Sequence, residues 1–117
     1  MHFYFHFSAQ FWHFQNGKLL NKKVAWKYQD KDWRIPTLNE KGSIKYKKYV
    51  LAVLGIGNEG CEVRLQAPKG PTTESQVWEP VDTEQDGYFK IFHDSSRLCL
   101  TAKSNDILTI EGNVSVD

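Results

Sequence analysis

The chain has 117 residues, which is enough for one domain with a single hydrophobic core and too few for two. Aromatic residues make up 14% and charged residues 25%, and this balance, together with frequent turn residues, favours an all-β domain. The formal net charge of +1 excludes a strong attraction to nucleic acid or to acidic membrane surfaces. We therefore predict one all-β domain that covers residues 1–117.

The sequence carries no signal for a membrane or for secretion. No apolar run approaches the roughly 20 residues of a membrane-spanning helix, and no basic region followed by an apolar core marks a secretion signal. We predict no membrane span, and a cytoplasmic location if the chain is full length. The two cysteines, Cys61 and Cys99, are compatible with one disulfide or with two buried free thiols.

The first predicted element is an aromatic alternation over residues 2–7, which is typical of a half-buried strand. It places His2 and His6 on one face of that strand. A metal site needs a third ligand, and His13 or His93 supplies one only if the fold brings it close. We interpret the two histidines as the outer face of a strand, and we predict neither a metal nor another cofactor.

Three segments then repeat one order of signals: a tryptophan, a turn that ends in glycine, and two short apolar strands. The tryptophans are Trp12, Trp33 and Trp78. Trp33 and Trp78 precede Gly42 and Gly87 by the same number of residues, whereas the first repeat is shorter. Because self-similarity at this scale is typical of repeat architectures, we predict a threefold repeat with a shortened first copy.

The strands of the repeats are predicted from short apolar bursts between polar residues or glycine. They lie at 10–14, 18–21, 23–26, 33–36, 43–46, 49–53, 62–65, 88–92, 98–102 and 107–111. The glycine-rich segment 54–60 precedes a strand and lacks the ending of a phosphate-binding loop, so it indicates an inter-strand loop. No helical pattern of adequate length appears, and we predict no helix longer than about two turns.

Two functional classes are disfavoured by the pattern of charged residues. Lysines next to aromatic residues at 22–28 and 45–49 are typical either of stacking on single-stranded RNA or of a solvated strand edge. The near-neutral net charge favours the edge, so we predict no nucleic-acid partner. No nucleophile sits in a strand–turn–helix elbow and no paired carboxylates stand out, so we predict a protein without enzymatic activity.

The repeated pattern of a tryptophan, a glycine turn and two strands resembles that of the ricin B-type β-trefoil, the QxW lectin family. Gln10-Phe11-Trp12 and Gln76-Val77-Trp78 match its Gln-x-Trp motif, and Lys31-Asp32-Trp33 keeps only the tryptophan. The resemblance implies a β-trefoil in which three small repeats share one core. It also implies that these three tryptophans pack in that core. Trp26 does not belong to a Gln-x-Trp motif and is expected to be exposed.

The resemblance also implies how the chain ends meet. No tryptophan strand follows the strand predicted at 107–111, whereas the chain begins with one at 10–14. An open strand edge leaves backbone groups unpaired. We therefore predict that the N- and C-terminal strands lie side by side and close the fold together.

The sugar-binding residues of the family are not found at the corresponding positions. Members that bind galactose-type sugars have an Asp after the leucine of the second strand and an aromatic ring on the third. This chain has Ala52 and Thr101 at the first position, and Gln66 and Glu111 follow its third strands. A sugar site needs both hydrogen-bonding groups and an apolar platform.

Two functions therefore stay open. One is a non-catalytic carbohydrate-binding module, lectin-like, with non-standard or partly lost sites for glycans or glycoproteins. The other is a trefoil that binds no sugar and contacts another protein or the rest of a longer parent chain. For the first function we predict polar ligand-binding residues in two loops and the adjoining strands: Gln66, Lys69, Thr101, Asn105, Asp106 and Glu111.

Overall fold

The computed structural model describes residues 12–27, 32–69, 73–104 and 107–112. The regular structure of this part of the chain consists mainly of short antiparallel strands, which confirms the all-β prediction. The strands are β1 (Phe14–Gln15), β2 (Leu19–Asn21), β3 (Trp33–Arg34), β4 (Lys45–Tyr46), β5 (Tyr49–Val53), β6 (Glu62–Gln66), β7 (Trp78–Asp82), β8 (Tyr88–His93), β9 (Cys99–Ser104) and β10 (Ile107–Glu111). One helix, α1 (Lys22–Lys27), and one 3₁₀ turn (Glu74–Gln76) are found among the described residues.

The strands form one open antiparallel sheet. Its hydrogen-bonded order is β1-β2-β8-β9-β10-β6-β5-β4-β3, and β7 pairs with β8 outside this path. β8 is the branching strand: its start pairs with β2 at Phe89, its end pairs with β9 at Phe92, and β7 runs along its length. The sheet is therefore organised around the third of the predicted repeats.

The β7–β8 hairpin confirms the predicted turn that ends in Gly87. Gly87 has a φ of 85°, a left-handed conformation that glycine adopts without a Cβ clash. The Thr83 hydroxyl lies 3.0 Å from the Tyr88 carbonyl oxygen and 3.2 Å from that of Gln85, within the turn. The turn also anchors α1, because the N–H of Lys22 donates to the carbonyl of Gly87 at 2.9 Å.

The strand predicted at 23–26 is wrong, since these residues lie in α1. The Asn21 side-chain oxygen accepts hydrogen bonds from the N–H groups of Lys23 at 2.9 Å and Val24 at 3.4 Å, which is the geometry of a helix N-cap. Ala25 faces the core, and Trp26 is 40% exposed with its ring edge-on to Phe89 at 5.3 Å. Tertiary packing and the cap together override the strand preference of the valine and tryptophan.

The predicted closure depends largely on residues 2–11, which lie outside the described residues, and within the described residues β1 and β10 do not pair with each other. β10 is hydrogen-bonded on one edge to β9 and on the other to β6, where Leu108 faces Val63. The ends meet through single hydrogen bonds instead: the Lys18 ammonium donates to the Gly112 carbonyl at 2.6 Å, and the Ala102 N–H donates to the Gly17 carbonyl at 2.6 Å. The strands predicted at 2–7 and at the start of 10–14 lie outside the described residues.

One hydrophobic core contains the tryptophans of all three repeats. Trp12, Trp33 and Trp78 are buried, and the rings of the first two meet edge to face at 4.9 Å. The Trp78 indole N–H donates to the Leu51 carbonyl at 2.9 Å, so its polar group is satisfied within the core. Other fully buried side chains of this core are Leu20, Ile44, Phe89, Ile91, Leu100 and Ile110.

Replacing Trp78 by alanine is expected to lower the free energy of unfolding by roughly 3–5 kcal/mol, the usual cost of truncating a large buried aromatic side chain. Trp26→Ala is the matched control and should cost much less, because Trp26 is exposed. Urea denaturation followed by circular dichroism measures both variants. Small and equal shifts of the two midpoints would contradict the assignment of Trp78 to the core.

The helix cap gives a second stability prediction. Asn21→Ala should lower the free energy of unfolding by about 1 kcal/mol, because two N–H groups at the start of α1 lose their acceptor. Asn21→Asp keeps an acceptor oxygen and should retain most of the stability. Lys23→Ala, at an exposed position of the same helix, should change it by less than about 0.5 kcal/mol. If Asn21→Ala and Lys23→Ala lose the same amount in chemical denaturation, Asn21 does not cap the helix.

Candidate functional site

A cleft of about 430 Å³ lies between two segments that are distant in sequence. One wall comes from 42–50, which contains β4 and the start of β5, and the other from residue 68 and residues 73–77, which contain the 3₁₀ turn. Its size falls in the range of small-molecule pockets, roughly 300–1,000 Å³. The lining residues are Gly42, Ser43, Lys45, Val50, Pro68, Thr73, Gln76 and Val77.

Backbone pairing at Trp78 joins the two walls. The Trp78 N–H donates to the Gly42 carbonyl at 2.8 Å, and the Gly42 N–H donates back to the Trp78 carbonyl at 2.9 Å. Gly42 is tightly placed, since a Cβ atom there would lie 3.2 Å from Cγ of Pro36. The buried indole of Trp78 fixes the position of Gln76 and Val77, which precede it in the second wall.

Gln76 holds the second wall in shape. Its side chain is only 3% exposed, its Nε2 donates to the Ala67 carbonyl at 3.2 Å, and its Oε1 accepts from the Lys69 N–H at 3.2 Å. Both ends of the amide are therefore used to tie the segment after β6 to the 3₁₀ turn. The glutamine of this Gln-x-Trp motif therefore has a structural role beside the cleft.

The cleft combines apolar walls with polar groups that are available to a ligand. Val50, Pro68 and Val77 contribute apolar surface. Among the described residues, the Ser43 hydroxyl and the Thr73 hydroxyl have no hydrogen-bond partner; Thr73 precedes the 3₁₀ turn without capping it through its side chain. A hydroxyl group both donates and accepts, so the two walls each present one adaptable hydrogen-bonding group.

Two of the predicted ligand-binding residues lie at the border of this cleft. Gln66, at the end of β6, is half-buried and stands opposite Val50, which lines the cleft. Lys69 is exposed, and its backbone N–H is held by Gln76. Neither side chain lines the cleft itself, but both stand beside residues that do.

The other predicted ligand-binding residues lie elsewhere. Thr101 is buried and its hydroxyl donates to the Cys99 carbonyl at 2.8 Å, while Glu111 accepts from the Thr109 hydroxyl at 2.6 Å. β6 and β10 run antiparallel, so Gln66 and Glu111 point to opposite ends of the pair, roughly 20 Å apart at the usual rise per residue. Asn105 and Asp106 lie outside the described residues. The structure therefore does not bring the predicted set together.

The sequence indicates few of the residues that line the cleft. Ser43, Thr73 and Val77 belong to no recognised motif of binding residues, and Lys45 is predicted only as part of a solvated strand edge. Gln76 stands out only through the repeat motif. The signal that relates the two walls is the pairing of Gly42 with Trp78, and strand register of this kind is not readable from one sequence.

His93 supports the second wall from behind. It is 2% exposed, with Nε2 placed 2.9 Å from the Glu74 carbonyl of the 3₁₀ turn and Nδ1 placed 2.7 Å from the Ser96 hydroxyl. A carbonyl only accepts, so Nε2 carries the proton and Nδ1 of the neutral ring accepts from Ser96. Burial lowers the pKa of His93 and outweighs the opposing effects of the Glu74 carbonyl and of the charges on Asp94 and Glu74.

Three further features of the described part of the chain concern metal ligands, cysteines and membrane-spanning helices. No group of three or more His, Cys, Asp or Glu side chains is placed there to hold a metal ion. Cys61 and Cys99 are free thiols, and burial raises the pKa of Cys99 to about 11. None of the described helices has the length and apolarity to cross a bilayer.

Comparison with known proteins gives no relative for this fold or site, since no family model, curated protein or solved structure matches the chain.

Stability should depend on pH through His93. Above its usual pKa of 6.5 the ring is neutral in both states and the full stability is present. As the pH falls below 6.5, the unfolded chain takes up a proton that the buried ring resists, so stability is lost down to the lower folded pKa. Denaturation at pH 7.5 and pH 5 should show this loss, and His93→Gln should reduce it. His13→Gln, at an exposed position, should leave the loss unchanged; an equal reduction by both variants would contradict the role of His93.

Proposed function

We propose that this domain is a non-catalytic carbohydrate-binding module, and that its ligand binds in the cleft between residues 42–50 on one side and residues 68 and 73–77 on the other. The observation that carries the proposal is the pairing of apolar walls with uncommitted hydroxyl groups on opposite sides. A sugar ring presents C–H surface and hydroxyl groups together, so it needs both kinds of contact at once.

The arrangement of the two hydroxyl groups suits such a ligand. Ser43 and Thr73 belong to different walls of the same cleft, so we expect a ligand that spans the cleft to reach both. Aliphatic side chains, Val50, Val77 and Pro68, replace the aromatic platform of the lectin family. Because aliphatic surface lacks the π contribution of a ring, we expect affinity for a single sugar residue to be low.

The β-trefoil is part of the proposal. Support comes from the burial of one tryptophan from each predicted repeat, and from the structural use of Gln76 in a Gln-x-Trp motif. The repeats are too small to bury these rings separately, which favours a shared core. An experimental structure of the full chain tests this point: three hairpin units related by a pseudo-threefold axis are expected.

A second candidate function, as a protein-interaction module, is favoured by one almost fully exposed apolar side chain. Ile56 is 92% exposed at a loop tip between Gly55 and Gly57, which both have positive φ. This apolar side chain lies outside the cleft lining, so the two functions are separable by mutation. Ile56→Ser should weaken capture of a protein partner and leave carbohydrate binding unchanged.

A glycan array followed by titration of its hits tests the main proposal. Ser43→Ala and Thr73→Val each remove one hydroxyl with little change in volume, and each should weaken binding by roughly two- to tenfold, the value of a neutral hydrogen bond. Ser95→Ala removes an exposed hydroxyl outside the cleft and should have no effect. An empty array, or hits that bind both cleft variants as tightly as the natural chain, would contradict the proposal.

A further inference from the structure

A row of directly opposed residues crosses four strands beside the cleft. Gln66 of β6 stands opposite Val50 of β5, Val50 opposite Lys45 of β4, and Lys45 opposite Arg34 of β3. Opposed residues of antiparallel strands project to the same face, with Cβ atoms about 4.5–5.5 Å apart. Arg34 and Lys45 are therefore neighbours on the face where Val50 and Lys45 line the cleft.

This neighbourhood of two cations is unfavourable without a counter-ion. Like charges that directly oppose each other destabilise a strand pair. Both side chains are exposed, and neither forms an ion pair with any described residue, although other basic residues of the same chain do. The described ion pairs include neither Asp32, which precedes β3, nor Glu74 of the 3₁₀ turn as a partner of the two cations.

Further cations surround the same cleft. Lys47 and Lys48 form the turn between β4 and β5, with their ammonium groups 5.5 Å and 5.6 Å from the ring centres of Tyr46 and Tyr49. Lys69 is exposed beside the second wall. Lys45 is the charged residue of the lining, and no acidic side chain is among the described residues that line the cleft. The described side chains that line the cleft therefore carry a net positive charge, although the chain is almost neutral.

We propose that the carbohydrate bound in this cleft is acidic, and that its carboxylate or sulfate group lies between Arg34 and Lys45. This inference rests on the proposed function. The guanidinium group binds a planar or tetrahedral oxyanion through two parallel hydrogen bonds, and the ammonium group adds a point charge. The anion supplies the counter-ion that the strand pair lacks, while the hydroxyl groups of Ser43 and Thr73 contact the sugar ring.

A carbohydrate suits the cleft better than single-stranded nucleic acid, the other polyanion with this charge pattern. Binding of nucleic-acid strands relies on bases that stack on aromatic rings along a basic groove. The cleft lining contains no aromatic ring among its described residues. Tyr46 and Tyr49 lie outside that lining and are each approached by a lysine of their own turn.

The test uses the full chain and three oligosaccharide probes. They are a hyaluronan tetrasaccharide, which carries carboxylates alone, its carboxyl-reduced form, which is neutral, and a heparin tetrasaccharide, which carries sulfates as well. Titration calorimetry should show binding of an acidic probe roughly tenfold tighter than that of the neutral one. Raising the salt concentration should weaken only the acidic interaction, because the charges are exposed. The first and third probes distinguish a carboxylate site from a sulfate site.

Substitutions locate the anion. Arg34→Gln and Lys45→Gln should each weaken binding of the acidic probe roughly tenfold and weaken binding of the neutral probe much less. Lys23→Gln removes an exposed charge on α1 and is the matched control, which should bind like the natural chain. Circular dichroism of each variant confirms that it is folded.

The outcomes separate this inference from the proposed function. Equal affinity for the acidic and neutral forms, or equal weakening by Lys45→Gln and Lys23→Gln, would overturn the acidic ligand and leave the carbohydrate module standing. Binding of none of the three probes or of any array glycan would overturn both. A single-stranded oligonucleotide with the same charge as the acidic probe serves as a competitor. If it binds as tightly as the acidic probe and displaces it, Arg34 and Lys45 bind nucleic acid, and the acidic carbohydrate is overturned.

Discussion

The structure depends on how the buried indole of Trp78 is satisfied. Its ring is fully buried, and its N–H reaches the Leu51 carbonyl of β5 at 2.9 Å. A buried indole N–H without this acceptor would cost about 1–3 kcal/mol. The bond therefore fixes β7 against β5, and the backbone of the same residue pairs with Gly42. The cleft lies where these two attachments hold Val77 against the first wall.

The second wall is stabilised by polar groups that are buried and satisfied. Gln76 uses both ends of its amide on the backbone of 67–69, and His93 uses both ring nitrogens on Glu74 and Ser96. Buried polar networks of this kind specify one arrangement, since any alternative leaves a group unpaired. Because His93 must remain neutral to stay buried, acid weakens the support of the cleft together with the fold.

The sequence predicts local elements better than the way they meet. β5 and β8 follow from apolar bursts, and the turn before β8 follows from Gly87; these signals are short-range. The α1 helix is missed because its cap depends on where the Asn21 side chain points, and the strand preference of its residues is weak. The cleft is missed because Gly42 and Trp78 are brought together by register. Gln66 and Lys69 are predicted near it, since polar residues at strand ends commonly border loops.

Register also explains why a nearly neutral chain carries a charged site. Net charge sums over all residues, but salt screens exposed charges beyond about 10 Å at 0.1 M ionic strength. Arg34 and Lys45 lie within that distance of each other because β3 pairs with β4, whereas the ion-paired lysines elsewhere contribute little at the cleft. What a ligand meets there is the local pair and not the sum of +1. The weak net charge disfavours a polyanion that binds across the whole surface. It does not disfavour a ligand whose single anionic group binds at one place.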